Sequence, residues 1–136
     1  MGKNLEITTL LEKYIEKFSY TLHPIQKEII SYNESLGDIK RMQIAVSQCY
    51  FLQLIIKISK SKKILEVGTF TGLSTLSMSL ALPDDGSLIA LDKNSETNKI
   101  AIDFFKKANQ GKKIQTIIKP AIESIEELKK KIIILI

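Results

Sequence analysis

The sequence predicts an α/β protein with a doubly wound parallel sheet, and three observations carry that expectation. Beyond residue 60, short apolar runs alternate with segments of helical periodicity. A glycine, Gly68, follows the first of those runs directly, and an acid, Asp92, ends the second. Strand, helix, strand, helix implies parallel pairing through crossovers, because parallel neighbours cannot be joined by a tight hairpin.

The elements follow in chain order. In "LEITTLLEKYIEKF", Leu10, Leu11, Tyr14, Ile15 and Phe18 recur at helical spacing while Glu12, Lys13, Glu16 and Lys17 point away, which predicts an amphipathic helix. His23-Pro24 breaks it and reads as a structural pair. "PIQKEIISYNESLG" is a second helix, with proline in its first turn and Gly37 as its stop. A third spans roughly Ser47 to Ser59, with Tyr50, Phe51, Leu54, Ile55 and Ile58 as its expected core stripe. Four strands are then predicted, "KILEV" (63–67), "SLIALD" (87–92), "KIQTII" (113–118) and "KIIILI" (131–136). Helices are expected between them at about 72–82, 95–108 and 121–130. The division is a helical segment, 1–60, and an incomplete sheet half, 61–136, within one domain overall.

Composition sets bounds on function. The 136 residues are 44% hydrophobic and 26% charged, as in ordinary globular proteins. The net charge of +5 is scattered rather than gathered in one basic arm, and tryptophan is absent, which argues against a nucleic-acid partner. A single cysteine, Cys49, excludes an internal disulfide, and it lies far in sequence from the single histidine, His23. No Cys/His cluster has zinc spacing. The mixed charge of the first residues predicts no leader and no membrane span, hence a cytoplasmic protein. The pairs Asp84-Asp85 and Glu126-Glu127 are adjacent rather than facing, which suits a solvated turn after Pro83 and a solvated helix face.

The turn "EVGTFTG" is where the chemistry concentrates. In a doubly wound sheet, ligands sit beyond the carboxyl ends of the strands, and glycine after the first strand lets the backbone approach them. Gly68 follows that strand, Gly72 opens the next helix, and Thr69, Phe70 and Thr71 are expected to ring a ligand with backbone donors. Asp92, 24 residues past Gly68, stands where a carboxylate accepts ribose hydroxyls in this topology. Phe70 occupies the place of the second glycine of a dinucleotide motif, and Glu66 would repel a diphosphate while suiting a cationic ligand.

With those residues stated, "KKILEVGTFTGLSTLSMSLALPDDGSLIALDKN", flanked by "RMQIAVSQCYFLQLIIKI" and "KPAIESIEEL", resembles the caffeoyl-CoA-type O-methyltransferases. These are a branch of the class I S-adenosylmethionine methyltransferases, Rossmann-like folds that include catechol-type relatives. The resemblance runs from about His23 onward and implies S-adenosylmethionine as cofactor. It assigns Met42 and Ile44 to the segment closing over the cofactor, and Glu66, Gly68 and Thr69 to the motif holding its amino-acid end. Ser74 matches a hydroxyl that binds the cofactor carboxylate, Asp92 the ribose acid, and Ala121 the position beside the adenine. With Phe70 and Gly72 of the turn, these complete the expected cofactor set, while Arg41 is placed to face an acidic substrate. The resemblance further implies a small-molecule hydroxyl acceptor and a homodimer to which the N-terminal helices contribute.

Three departures qualify the likeness. Relatives tend to read "MQIAPEQGQFL" where this chain reads "MQIAVSQCYFL", and Leu73 replaces a usual tyrosine. The family also implies a divalent metal, Mg or Ca, that polarises the acceptor hydroxyl. Its acids would follow the last apolar run, where the sequence ends at Ile136, so no metal ligand and no catalytic residue is assigned and the chain is expected to be a fragment. That run is expected to lie beside the first strand as an exposed edge. Three functional readings follow: an O-methyltransferase with its cofactor half present, a non-catalytic cofactor-binding or interaction module, and a nicotinamide-dependent oxidoreductase.

Overall fold

The computed structural model of the chain describes residues 6–19 and 21–133. Three parallel strands, β1 (Lys63–Val67), β2 (Ser87–Asp92) and β3 (Ile114–Ile118), form one sheet in the order β1-β2-β3. Three α-helices precede it, α1 (Thr9–Phe18), α2 (Pro24–Glu34) and α3 (Val46–Ser59). Two more, α4 (Leu73–Ala81) and α5 (Ser95–Lys107), join successive strands, and α6 (Ala121–Ile133) follows β3. A 3-10 segment over Gly37–Met42 lies between α2 and α3, where the sequence showed only a stop.

Local signals explain the boundaries. Thr8 accepts from the Leu11 amide at 3.3 Å to start α1. At α2 the His23 ring accepts from the Ile25 amide at 3.2 Å, and Gln26 accepts from the His23 amide at 2.9 Å. His23 is therefore a reciprocal cap on a proline-started helix, in keeping with its structural reading. Asn94 caps α5 by accepting from the Glu96 and Thr97 amides at 2.9 and 3.1 Å.

Pairing Ile64 with Leu88 and Glu66 with Ala90 puts these residues on one face of the sheet. That face is closed by Ile56 of α3 and Met78 of α4, packed with Leu82, Leu88 and Ala90. A second cluster joins Ile25 and Ile29 of α2, Cys49 of α3, Leu73 and Leu76 of α4, and Ala101, Phe104 and Phe105 of α5. Burying one such side chain as fully as Ile29 contributes about 1.5–3 kcal/mol. Gln26 adds a polar tie, donating to the buried Ser77 hydroxyl at 2.7 Å.

Two sequence expectations fail. The run 131–136 does not form a fourth strand where it is described: 131–133 continue α6, and 134–136 lie outside the described residues. No glycine or proline separates 131–133 from the preceding helical residues, so the sequence supplies no breaker or loop before them. Among the described residues β1 pairs with β2 alone.

The α3 stripe is the second correction. Phe51, Leu54, Ile55 and Ile58 are 60%, 54%, 45% and 69% exposed, while Cys49, Gln53 and Ile56 are buried. The helix is apolar nearly all round, so periodicity could not select its inner face; packing against α4 did. The apolar side of α1 is likewise exposed, and none of its residues is buried.

Candidate functional site

The carboxyl end of β1 runs into a turn whose shape is set by three left-handed residues, Gly68 at φ +92°, Phe70 at +50° and Gly72 at +91°. A side chain at Gly72 would be strained at this φ, and a Cβ there would lie 2.6 Å from the Phe105 ring, which would have to shift. Gly68 differs: a Cβ would meet no atom within 4 Å, so its bareness leaves the backbone open to approach. The turn then enters α4, with Gly72 accepting from the Leu76 amide at 2.8 Å.

Asp92 ends β2 beside this turn. Its Oδ2 accepts from the Thr69 and Phe70 amides, both at 2.8 Å, and Oδ1 accepts from Asn94 at 2.9 Å. The expectation that the Thr69 and Phe70 amides face a ligand is thus corrected: they hold the Asp92 carboxylate instead. Partial burial pushes the Asp92 carboxyl upward, but the amides of Asn94, Phe70, Thr69 and Lys93 together outweigh it and hold it below the usual carboxylate range. Those contacts leave lone-pair capacity on an ionised carboxylate.

Glu66, the penultimate residue of β1, turns toward α4 and accepts from the Ser74 and Thr75 hydroxyls, one on each oxygen. Burial raises its carboxyl above the ordinary range, the two hydroxyls lower it in part, and the nearby Asp92 charge raises it again. Ser74 is therefore engaged by Glu66 rather than free. The Thr69 and Thr71 hydroxyls are buried and have no partner among the described residues.

A small cleft of about 50 Å³ opens on the turn, lined by Met42, Gln43, Ile44, Gly68, Thr69, Phe70, Leu73 and Ser74. The structure thus brings the strap 42–44 onto the glycine turn, and Gln43 and Leu73 join a set in which the sequence reading had no role for them. The cleft is far smaller than a cofactor pocket of roughly 300–1,000 Å³, and Glu66, Gly72 and Asp92 are not among its lining. Ala121 is not among its lining; it opens α6 just beyond Ile118, the register partner of Asp92. Arg41 is exposed in the 3-10 segment, where with Glu34, Gly37, Asp38 and Lys40 it lines a separate shallow groove. Cys49 is fully buried, and burial raises its thiol despite a hydrogen bond with Ser77. The pair Asp84-Asp85 is a solvated turn, with Asp85 bridged to Lys62 at 2.5 Å.

Among the described residues, no group of three or more His, Cys, Asp or Glu side chains could hold a metal ion. Nor is any described helix long and apolar enough to cross a membrane.

The chain is similar to known proteins in both sequence and fold. A Dictyostelium discoideum protein named probable caffeoyl-CoA O-methyltransferase 2 is 36% identical over 115 residues, covering 85% of this chain and 50% of the relative. A Populus kitakamiensis caffeoyl-CoA O-methyltransferase is 38% identical over 92 residues, 68% of this chain and 39% of its own. The chain thus spans about half the length, or less, of these curated relatives. In fold it matches a Podospora anserina methyltransferase solved with S-adenosylhomocysteine (TM-score 0.84, 20% identity, 93% of this chain and 56% of that one). A Bacillus cereus O-methyltransferase, also holding S-adenosylhomocysteine, gives a TM-score of 0.82 at 22% identity, over 90% of this chain and 55% of that one. The O-methyltransferase family model matches residues 16–134, and the chain belongs to that family.

Proposed function

We propose that this chain carries the cofactor half of an S-adenosylmethionine-dependent O-methyltransferase acting on the hydroxyl of a small molecule. The observation that carries the reading is the union of Asp92 with the glycine turn. One carboxylate, kept ionised by backbone amides, stands at the strand ends beside an open Gly68 backbone. When bound, the cofactor supplies an electrophilic methyl carbon on a sulfonium.

The chain's residues fit that group. Asp92 has capacity left for ribose hydroxyls, and Glu66 offers negative charge beside a cationic ligand. Met42 and Ile44 line the cleft from the strap side, with Thr69, Phe70 and Ser74 opposite. Gly72 shapes the turn rather than lining it, and Ala121 takes the adenine side by position alone. The family's Mg or Ca finds no matching group among the described residues.

Titration of the chain with S-adenosylhomocysteine tests the reading. Saturable binding that weakens sharply in Asp92→Ala is expected, and absence of binding by a folded chain would overturn it.

A second reading, a non-catalytic cofactor-binding module that pairs with another element, draws on β1. Its outer edge is unpaired among the described residues, and Leu65 and Val67 are 49% and 62% exposed. Methyl transfer to a catechol or CoA-ester acceptor by the chain would count against it. Membership of the O-methyltransferase family leaves no support for the oxidoreductase reading.

A further inference from the structure

The strap over the glycine turn is anchored by a group outside the cleft. Asn33, near the end of α2, is 1% exposed, and its Nδ2 donates to Oε1 of Gln43 at 2.6 Å. Gln43 is the middle residue of the strap and lines the cleft opposite Gly68 and Thr69. Ile44 packs against the main apolar cluster, and Asn33 supplies the strap's buried polar tie. No residue of the 3-10 segment is buried, and its ion pair, Lys40 to Glu34 at 2.8 Å, joins side chains 51% and 62% exposed. Such a pair contributes little against solvent and salt, whereas a hydrogen bond from a buried amide is shielded from both.

The bond also fixes which end of Gln43 is occupied. Its Oε1 is taken by Asn33, so its Nε2 is the end left to a ligand. Asn33 Oδ1 has no partner among the described residues, so the bond to Gln43 is what this buried amide gains in exchange for water.

We propose that Asn33 is a positioning residue for cofactor binding, latching the strap to α2 through Gln43 so that it stays beside the glycine turn. This rests on the cofactor site proposed above. Met42, Gln43 and Ile44 form one side of the cleft, so the Asn33-Gln43 bond sets how firmly that side is held when a ligand leaves.

The test uses the 136-residue chain and S-adenosylhomocysteine. Asn33→Ala should speed dissociation about fivefold or more, the scale of losing one shielded hydrogen bond. In a Gln43→Ala background the same substitution should add no further acceleration, because the latch is already gone. A purely structural Asn33 would instead give equal effects in both backgrounds, and that result would overturn the proposal. Hydrogen exchange on the ligand-free protein provides a readout independent of the cofactor. Asn33→Ala should raise exchange across 37–45 while leaving β1 and β2 protected, and unchanged exchange there would also overturn it. Failure of the wild-type chain to bind S-adenosylhomocysteine would overturn the cofactor reading, and the exchange result would still decide the latch.

Discussion

The amide of Phe70 donates to Oδ2 of Asp92 at 2.8 Å, so the acid that ends β2 holds the turn's bulky residue in the left-handed region. A non-glycine residue there costs about 1–2 kcal/mol. Hydrogen bonds to a charged group, at about 1.5–3 kcal/mol, offset that cost.

Removing this carboxylate should therefore affect both stability and binding. Asp92→Ala is expected to lower unfolding free energy by about 1–3 kcal/mol and to weaken S-adenosylhomocysteine about tenfold or more. Asp92→Asn, which keeps an acceptor oxygen, should lose less stability. Urea unfolding beside calorimetric titration measures both quantities, and an Asp92→Ala protein equal to wild type in each would contradict the role given to this residue.

The two glycines of the turn should separate folding from binding. Gly72→Ala drives a methyl into the Phe105 ring at an unfavourable φ and should destabilise by about 2–4 kcal/mol. Gly68→Ala meets no neighbour, so its stability cost is limited to the backbone, about 1–2 kcal/mol. Its larger expected effect is on the cofactor, which the added methyl would hold off the backbone. Paired melts and titrations check the contrast, and equal stability losses would show that Phe105 yields.

The two carboxylates should give opposite pH dependences. Asp92 is depressed when folded, so its contribution to stability is present above the unfolded carboxylate pKa and disappears as pH falls through the lower, folded value. Glu66 is raised when folded, so the native state holds its proton more tightly than the unfolded chain, and stability declines as pH rises from the unfolded to the folded value. Glu66→Gln should accordingly gain on wild type above the raised pKa and converge with it in acid. Melting temperatures across a pH series would show this, and a difference independent of pH would refute it.

The exposed side of α3 is expected to support self-association, the homodimer that the family resemblance implies. Phe51, Leu54, Ile55 and Ile58 all lie more than 40% exposed on one helix, an apolar row of the kind that marks an interface. Phe51→Ser combined with Ile58→Lys should shift sedimentation of the chain toward the monomer. If wild type already sediments as a monomer at tens of micromolar, this surface does not serve that purpose.

The first three strands and the helices joining them were legible because each is short, strongly patterned and bounded by a turn residue. Gly68, Gly72, Pro83 and Asn94 stand at those junctions, and β1 and β2 fall where the apolar runs do. That Glu66, Gly68 and Asp92 gather at the strand ends was legible for a related reason, since topology alone puts the ends of successive parallel strands together.

Other features depended on contacts between distant segments. The inner face of α3 was decided by α4, since a helix apolar on every side carries no periodic preference. The run 131–133 became helix because no breaker separates it from α6, whereas its β-branched composition alone favours a strand. The Thr69 and Phe70 amides went to Asp92, and Ser74 went to Glu66, because buried polar groups pair with whatever the fold brings within reach. Asn33 and Gln43 were invisible for the same reason: they lie on different elements, and only tertiary packing makes them neighbours. The sequence by itself determined the order of elements, the glycine turn and the two acids beside it, all local or topological properties. Tertiary structure alone decided which faces are buried and which polar groups are already engaged, because those depend on distances between residues far apart in the chain.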